Sequence, residues 1–133
     1  DRLDEEVAAA DIVSTATSAK VPFIKSEVVR PGSHLDLVGS YRPSMREVDS
    51  QTVQQASVFV DTRSGALSEA GDLIAPIEEG LFDESRILAD LAELCSGRHP
   101  GRQFADEVTL FKSVGTAIED LVAASLALEH CTV

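Results

Sequence analysis

The side chains of this sequence that are spaced to do chemistry gather at the ends of short apolar runs. Thr15-Ala16-Thr17 follows one run, Val38-Gly39-Ser40 a second, Asp61-Thr62-Arg63 a third and Lys112-Ser113 a fourth. Small and polar residues just past a strand leave amides and hydroxyls free to face a ligand, and Gly39 has no Cβ to hold a flat ring away. Glycine and serine after a strand are also ordinary turn chemistry, so the residues alone leave a cofactor turn and a plain turn both open. Other chemistries find less support. His34, His99 and His130 form no spaced set, and Cys95 and Cys131 are far apart without a CxxC, so neither a metal site nor a disulfide framework is indicated. Ser14, Ser40 and Ser113 lack a GxSxG setting for a nucleophile. Arg42 and Arg46 could bind a carboxylate or phosphate, with solvated or capping roles as the competing reading. Glu47 and Asp49 read as caps of the following helix, because acidic groups favour a helix N-terminus.

The elements that must position these residues alternate in type. Asp11–Ala16, His34–Val38, Ser57–Asp61 and Glu107–Phe111 are short, rich in Val, Ile, Leu, Phe and Thr, and bounded by turn residues, so each reads as a strand. The spacers among the first three are too long for hairpins and suit crossovers, which predicts parallel pairing. Ile87, Leu88, Leu91, Leu94 and Cys95 share a helical face between Asp83 as a cap and Gly97 as a stop. Thr116 and Glu119 form a T-x-x-E capping box ahead of Ile118, Leu121, Val122, Ser125 and Leu128. Between Asp61 and Glu107, Ser64 or Ser68 can cap a short turn, Gly71, Pro76 and Gly80 are expected to interrupt any helix, and Arg98–Gln103 reads as a surface loop. His34, opening its strand, falls at the end of the sheet opposite the candidate site.

The bulk properties narrow the function classes. With 133 residues and 44% apolar content the chain supports one domain with a core. A formal charge of −12 argues against nucleic acid and anionic membranes as partners. The opening DRLDEEVAAA carries no basic region followed by an apolar core, and no apolar run approaches the length of a membrane span, so a cytoplasmic protein is expected.

Five blocks in order carry a resemblance: ADIVSTATS (10–18), PGSHLDLVGSYRPSMREVD (31–49), SVFVDTR (57–63), SEAGDL (68–73) and EVTLFKSVGTAIEDL (107–121). Together they resemble the ornithine cyclodeaminase and mu-crystallin family over nearly the whole chain. The resemblance implies an α/β fold, a partial Rossmann (doubly wound) parallel sheet of about four strands with flanking helices, its first βαβ half missing. On that reading residues 1–133 are the C-terminal portion of an NAD(P)-binding domain, with 116–133 a closing helix. No two glycines here are separated by a single residue, so the GxGxxG turn of a complete dinucleotide site is not in this sequence. In the usual strand order, Asp11–Ala16 then becomes a bare sheet edge, expected to be covered by further chain or by a neighbour.

Carried over by position, the resemblance implies cofactor contacts at Thr15, at the strand end Leu35, Asp36, Leu37 and Val38, and at Ser113, with NAD or NADP as cofactor. Lys112 and Val114, beside that serine, are candidates for the substrate side. Tyr41 stands where cyclodeaminases place an aspartate in a motif like GGDCPGKTEL. A carboxylate accepts a proton near neutral pH, whereas a phenol that titrates at about pH 10 does so poorly. Lys112 likewise departs from that subgroup's aspartate. Both changes resemble the imine-reductase and mu-crystallin side, whose motif reads like GSFRPDMREL. The expected function is therefore part of an NAD(P)-dependent imine reductase acting on a small imino or amino acid, such as a ketimine or pyrroline-2-carboxylate, homodimeric as a full-length protein and inactive as this piece alone. Ornithine cyclodeaminase proper and a catalytically silent binding or structural module are the alternatives.

Overall fold

In the computed structural model, residues 2–131 are described. Five short strands form the sheet: β1 (Ile12–Thr15), β2 (His34–Leu37), β3 (Ser57–Val60), β4 (Ile87–Asp90) and β5 (Thr109–Lys112). Every pairing is parallel and the order is β1-β2-β5-β3-β4. The last strand thus enters between β2 and β3, with Leu37 opposite Lys112 on one side and Val60 opposite Lys112 on the other. This insertion brings the two sequence segments that carry the candidate chemistry, 38–41 and 112–115, to adjacent strand ends. β1 is an edge strand, as expected, and its Ile12 is 67% exposed.

Alternation along the strands builds one apolar face. Leu35, Leu37, Val58, Val60, Leu110 and Ile87 are buried together with Val53, Ala66 and Leu73 from the helices α2 (Ser50–Gln55), α3 (Arg63–Glu69) and α4 (Gly71–Glu78), and with Ala70 at the junction of the last two. Each fully buried Val, Leu or Ile contributes about 1.5–3 kcal/mol relative to exposure. Side chains of the other register, His34 and Asp36 in β2 and Phe111 in β5, are only partly buried.

Helix starts follow local side-chain chemistry. Asp49 caps α2, its carboxylate accepting from Thr52 N–H at 2.8 Å and from Ser26 N–H at 3.1 Å. Thr62, rather than Ser64 or Ser68, caps α3 by accepting from Gly65 N–H. Pro76 does not interrupt its helix as the sequence led us to expect: α4 runs through it. A proline forfeits one amide donor, and here the residue is buried while its carbonyl accepts from Leu81 and Phe82 N–H at 2.9 and 3.1 Å.

The helix read from Ile87 to Cys95 is two elements. Ile87 and Ala89 are buried and Leu88 is exposed, the alternation of a strand, and only α5 (Leu91–Cys95) is helical. Its cap is Asp90, not Asp83: Asp90 Oδ1 accepts from Glu93 N–H at 2.9 Å, and Asp90 N–H donates to the Glu93 carboxylate at 3.0 Å. Asp83 instead caps a single 3₁₀ turn at Glu84–Arg86. The sheet therefore has a fifth strand. Gly97, with φ +71°, ends α5 as expected.

α1 (Arg2–Ala9) precedes β1 and contributes Val7 to the core. The closing helix is present as α6 (Ala117–His130), and Thr116 N–H donates to the Glu119 carboxylate at 3.3 Å. Its apolar face covers nothing among the described residues: Ile118, Leu121 and Leu128 are 67%, 66% and 76% exposed. Residues 132–133 of the expected closing helix lie outside the described residues.

Candidate nucleotide-binding site at the strand ends

The C-terminal ends of β1 and β2 border a cleft of about 340 Å³ lined by Ala16, Thr17, Ser18, Val38, Gly39 and Tyr41. Apart from Tyr41, no lining side chain is larger than valine, so the cleft suits a flat ring laid against backbone. A larger hollow of about 820 Å³ lies elsewhere, over the less covered sheet face, lined by Ile12, His34, Phe59 and Phe111 among others. We assign the candidate site to the smaller cleft, because parallel α/β sheets present ligands at the carboxyl ends of their strands.

Buried carboxylates fix the walls of the cleft. Glu47 is fully buried, and its two oxygens accept four hydrogen bonds: Oε1 from Thr17 N–H at 2.7 Å and Thr17 Oγ1 at 2.8 Å, Oε2 from Thr15 Oγ1 at 2.8 Å and Gly39 N–H at 2.9 Å. It is not the helix cap that its position before α2 implied; it turns inward and joins the β1 and β2 ends. Asp72 is also fully buried, and its Oδ1 accepts from Glu47 N–H at 2.7 Å and Val48 N–H at 3.2 Å. Its Oδ2 has no partner. Burial pushes the Asp72 carboxyl up, against the pull of those two amides. Ser40 completes the inner wall, donating to Met45 C=O at 2.6 Å and accepting from Asp72 N–H at 3.1 Å. A Cβ on Gly71 would lie 2.1 Å from Met45 O, so only glycine lets α4 approach this loop.

Asp61 does the same work at the β5 end. Its Oδ1 accepts from Thr62 N–H at 2.6 Å, and its Oδ2 accepts from Ser113 Oγ at 3.1 Å and from Val114 and Gly115 N–H at 2.8 Å each. The segment after β5 is therefore held by one carboxylate.

The residues singled out in the sequence separate into four groups. Val38, 42% exposed, and Tyr41, 44% exposed, reach the cleft, and the Arg42 guanidinium carbon stands 5.8 Å from the centre of the Tyr41 ring. Thr15 and Ser113 lie at strand ends with their hydroxyls committed to Glu47 and Asp61, while Asp36 accepts from Ser14 Oγ at 2.8 Å. Leu35 and Leu37 are fully buried in the core, and Val114 packs against it. Lys112 is fully buried beneath the strand ends, its Nζ donating to Leu37 C=O at 3.0 Å. Burial lowers the Lys112 ammonium from the ordinary lysine range, while Asp72 and Glu47 pull it upward. Sequence reasoning missed Asp72, read Glu47 as a helix cap and named Asp61 only as part of a strand end, so it recognised none of the three as a builder of the site. The available signal was their place in or beside the five blocks, with no periodicity to explain them.

A parallel sheet with small residues at its carboxyl ends, walled by loops that buried carboxylates hold, defines this chain as a parallel α/β unit with a candidate ligand cleft at its strand ends. More particularly, the chain belongs to the ornithine cyclodeaminase/mu-crystallin family, whose profile matches residues 2–132. It is 45% identical over 127 residues to a delta(1)-pyrroline-2-carboxylate reductase of Colwellia psychrerythraea, covering 96% of this chain and 40% of that protein. It is 40% identical over 127 residues to the ketimine reductase mu-crystallin of Rattus norvegicus, covering 96% of this chain and 38% of that protein. Among solved structures, the delta(1)-pyrroline-2-carboxylate reductase of Thermococcus litoralis in complex with NADH and L-proline superposes with a TM-score of 0.91 at 43% identity, covering 98% of this chain and 42% of that one. The chain thus spans about two fifths of the length of these relatives.

Proposed function

We propose that this chain is the C-terminal portion of the NAD(P)-binding domain of an imine reductase acting on a small cyclic or ketimine imino acid of the pyrroline-2-carboxylate type. The observation that carries the reading is Tyr41 at the rim of the β1–β2 cleft, where the resemblance to cyclodeaminases would call for an aspartate. Relatives named as pyrroline-2-carboxylate and ketimine reductases support it, as does a superposable structure that holds NADH.

The cofactor, when bound, supplies a hydride to the imine carbon, and the nitrogen takes up one proton. This chain's part is to bind and orient. Thr17, Val38 and Gly39 offer a floor of small residues for the nicotinamide ring, and Ser113 and Val114, at the end of the adjacent strand β5 and outside the lining of that cleft, are held in place by Asp61. Thr15, Asp36 and the buried Leu35 and Leu37 act from behind, by setting where β1 and β2 end. Tyr41 places a ring and a hydroxyl at the mouth, suited to orienting an imino acid. Lys112, fully buried, and Val114, packed against the core, would serve the substrate side only from behind, by supporting the end of β5. The homodimer implied by the family resemblance and the cytoplasmic setting expected from the sequence belong to the same proposal.

The test is an assay of the full-length gene product. Oxidation of NADH or NADPH dependent on pyrroline-2-carboxylate is expected, with no ammonia released from ornithine. Ammonia and proline formed from ornithine would replace this reading with cyclodeamination, and cofactor binding without turnover of any imine would replace it with a silent binding module.

A further inference from the structure

We infer that Glu47 is the positioning residue of the cleft, setting the separation of the β1 and β2 end loops and through them the seat of the nicotinamide ring. This rests on the imine-reductase reading for the identity of the ring, but its geometry is independent of the substrate.

The carboxylate receives four neutral donors, two from each of its oxygens' surroundings, and they come from both loops. Thr17 and Gly39, which it grips by their backbone amides, are both lining residues of the cleft and pack directly against each other, a Cβ on Gly39 falling 2.2 Å from Thr17 O. A Cβ on Gly39 would stand 2.3 Å from Glu47 Oε1, so the glycine is needed for the carboxylate to come this close. The side chain has no exposed surface, and no ion pair involves it among the described residues. A surface helix cap would show none of these features. Its own main chain is in turn held by Asp72, which accepts from Glu47 N–H. Force on the loops is therefore passed to α4 and the core rather than to solvent.

Glutamine has nearly the same shape but presents one acceptor oxygen and one amide donor. The hydroxyls of Thr15 and Thr17 can rotate to accept, whereas the amides of Thr17 and Gly39 can only donate. Whichever way the glutamine turns, its NH2 faces one of those two backbone N–H groups. One loop must then move. Displacements of this kind at a reacting centre cost about a hundredfold in rate when they reach about 1 Å.

The experiment uses full-length protein carrying Glu47→Gln, with Asp49→Ala as a second variant. Asp49 caps α2 outside the cleft, so its loss destabilises the fold without touching either loop. NADH affinity, ADP-ribose affinity, and kcat and KM for pyrroline-2-carboxylate are measured for each. For Glu47→Gln we expect kcat/KM to fall by about tenfold to a hundredfold, NADH to bind more weakly, and ADP-ribose, which lacks the ring, to bind as in wild type. Asp49→Ala is expected to lower thermal stability and leave all four constants near wild type. If Glu47→Gln keeps wild-type NADH affinity and kcat, or if NADH and ADP-ribose weaken in parallel, the positioning role is wrong while the imine-reductase reading stands. A wild-type protein that binds no nicotinamide nucleotide overturns both.

Discussion

Replacing Asp61 by asparagine removes one negative charge and one acceptor from a buried position at the end of β3, and the structure sets what that costs. The carboxylate accepts four hydrogen bonds, one from Thr62 and three from the 113–115 segment. An asparagine can keep its oxygen toward Ser113, Val114 and Gly115, and its NH2 then faces Thr62 N–H. Turned the other way, it loses the two backbone amides of Val114 and Gly115, and only the Ser113 hydroxyl can rotate to accept from it. In the better arrangement one backbone donor is left unpaired, costing about 1–3 kcal/mol, and three charge-assisted bonds fall to neutral strength, each losing up to about 1 kcal/mol. These terms overlap and part of the segment is exposed to water, so the expected loss is about 2–4 kcal/mol. With a urea slope of about 2 kcal/mol/M, the unfolding midpoint of the unit that contains this sheet falls by about 1–2 M. The assay is urea denaturation of full-length wild type and Asp61→Asn, followed by circular dichroism and by loss of NADH fluorescence. A midpoint shift under about 0.3 M at unchanged slope would refute the reasoning, because it would mean that the 113–115 segment is held by something other than this carboxylate.

Three further outcomes are expected. Asp72 has a folded-state carboxyl raised by burial, so between the unfolded value near pH 3.9 and its higher folded value the native state keeps the proton longer, and its contribution to stability declines as pH rises. Asp72→Asn has no such titration, so its stability relative to wild type, compared by urea midpoints at pH 4 and pH 7, rises with pH; a constant difference would show that Asp72 does not carry the dependence. Gly39→Ala would place a Cβ 2.2 Å from Thr17 O; a backbone neighbour cannot swing away, so thermal unfolding should show a loss of about 1–3 kcal/mol together with weaker NADH binding, and an unchanged variant would contradict the loop spacing. The 133-residue chain made alone should self-associate in light scattering, since β1 is an unpaired edge and Ile118, Leu121 and Leu128 stand exposed; a monodisperse monomer would count against this.

The strands that were legible in the sequence were those with a local signature. Asp11–Ala16, His34–Val38, Ser57–Asp61 and Glu107–Phe111 each combine β-branched or aromatic residues with flanking turn residues, and each contains a strand of the sheet or overlaps one closely. Ile87–Asp90 was hidden because the next helix continues its apolar residues at spacings that also fit one long helix. The discriminating signal was present in Asp90 and Glu93, a D-x-x-E pair that starts a helix at Leu91 and so frees the preceding residues to be a strand. Periodicity outweighed capping, and capping was the better guide. The position of β5 between β2 and β3 was not legible at all, since neighbour order depends on contacts between residues more than 70 positions apart, such as Leu37 and Lys112.

The site divides along the same line. The cleft's small residues, Ala16, Thr17, Val38 and Gly39, could be read because a strand end followed by glycine is a local pattern. What fixes them could not be, because Glu47 acts on Thr15, Thr17 and Gly39 from 32, 30 and 8 residues away, and Asp61 acts on Ser113 from 52. An acidic residue just ahead of a helix is read as a cap by default, and Asp49 satisfies that rule while Glu47, two residues earlier, breaks it. The difference is burial: a carboxylate with no exposed surface must find several donors, and Glu47 finds them at the ends of β1 and β2. Tyr41 is then placed by consequence, since its own amide donates to Gly39 C=O at 3.0 Å, one residue from the bond that Glu47 makes to the Gly39 amide. The residue that separates imine reduction from cyclodeamination in the family pattern therefore hangs on the loop that Glu47 holds, and substitutions at 41 alone should not exchange the two chemistries unless that loop keeps its wild-type spacing.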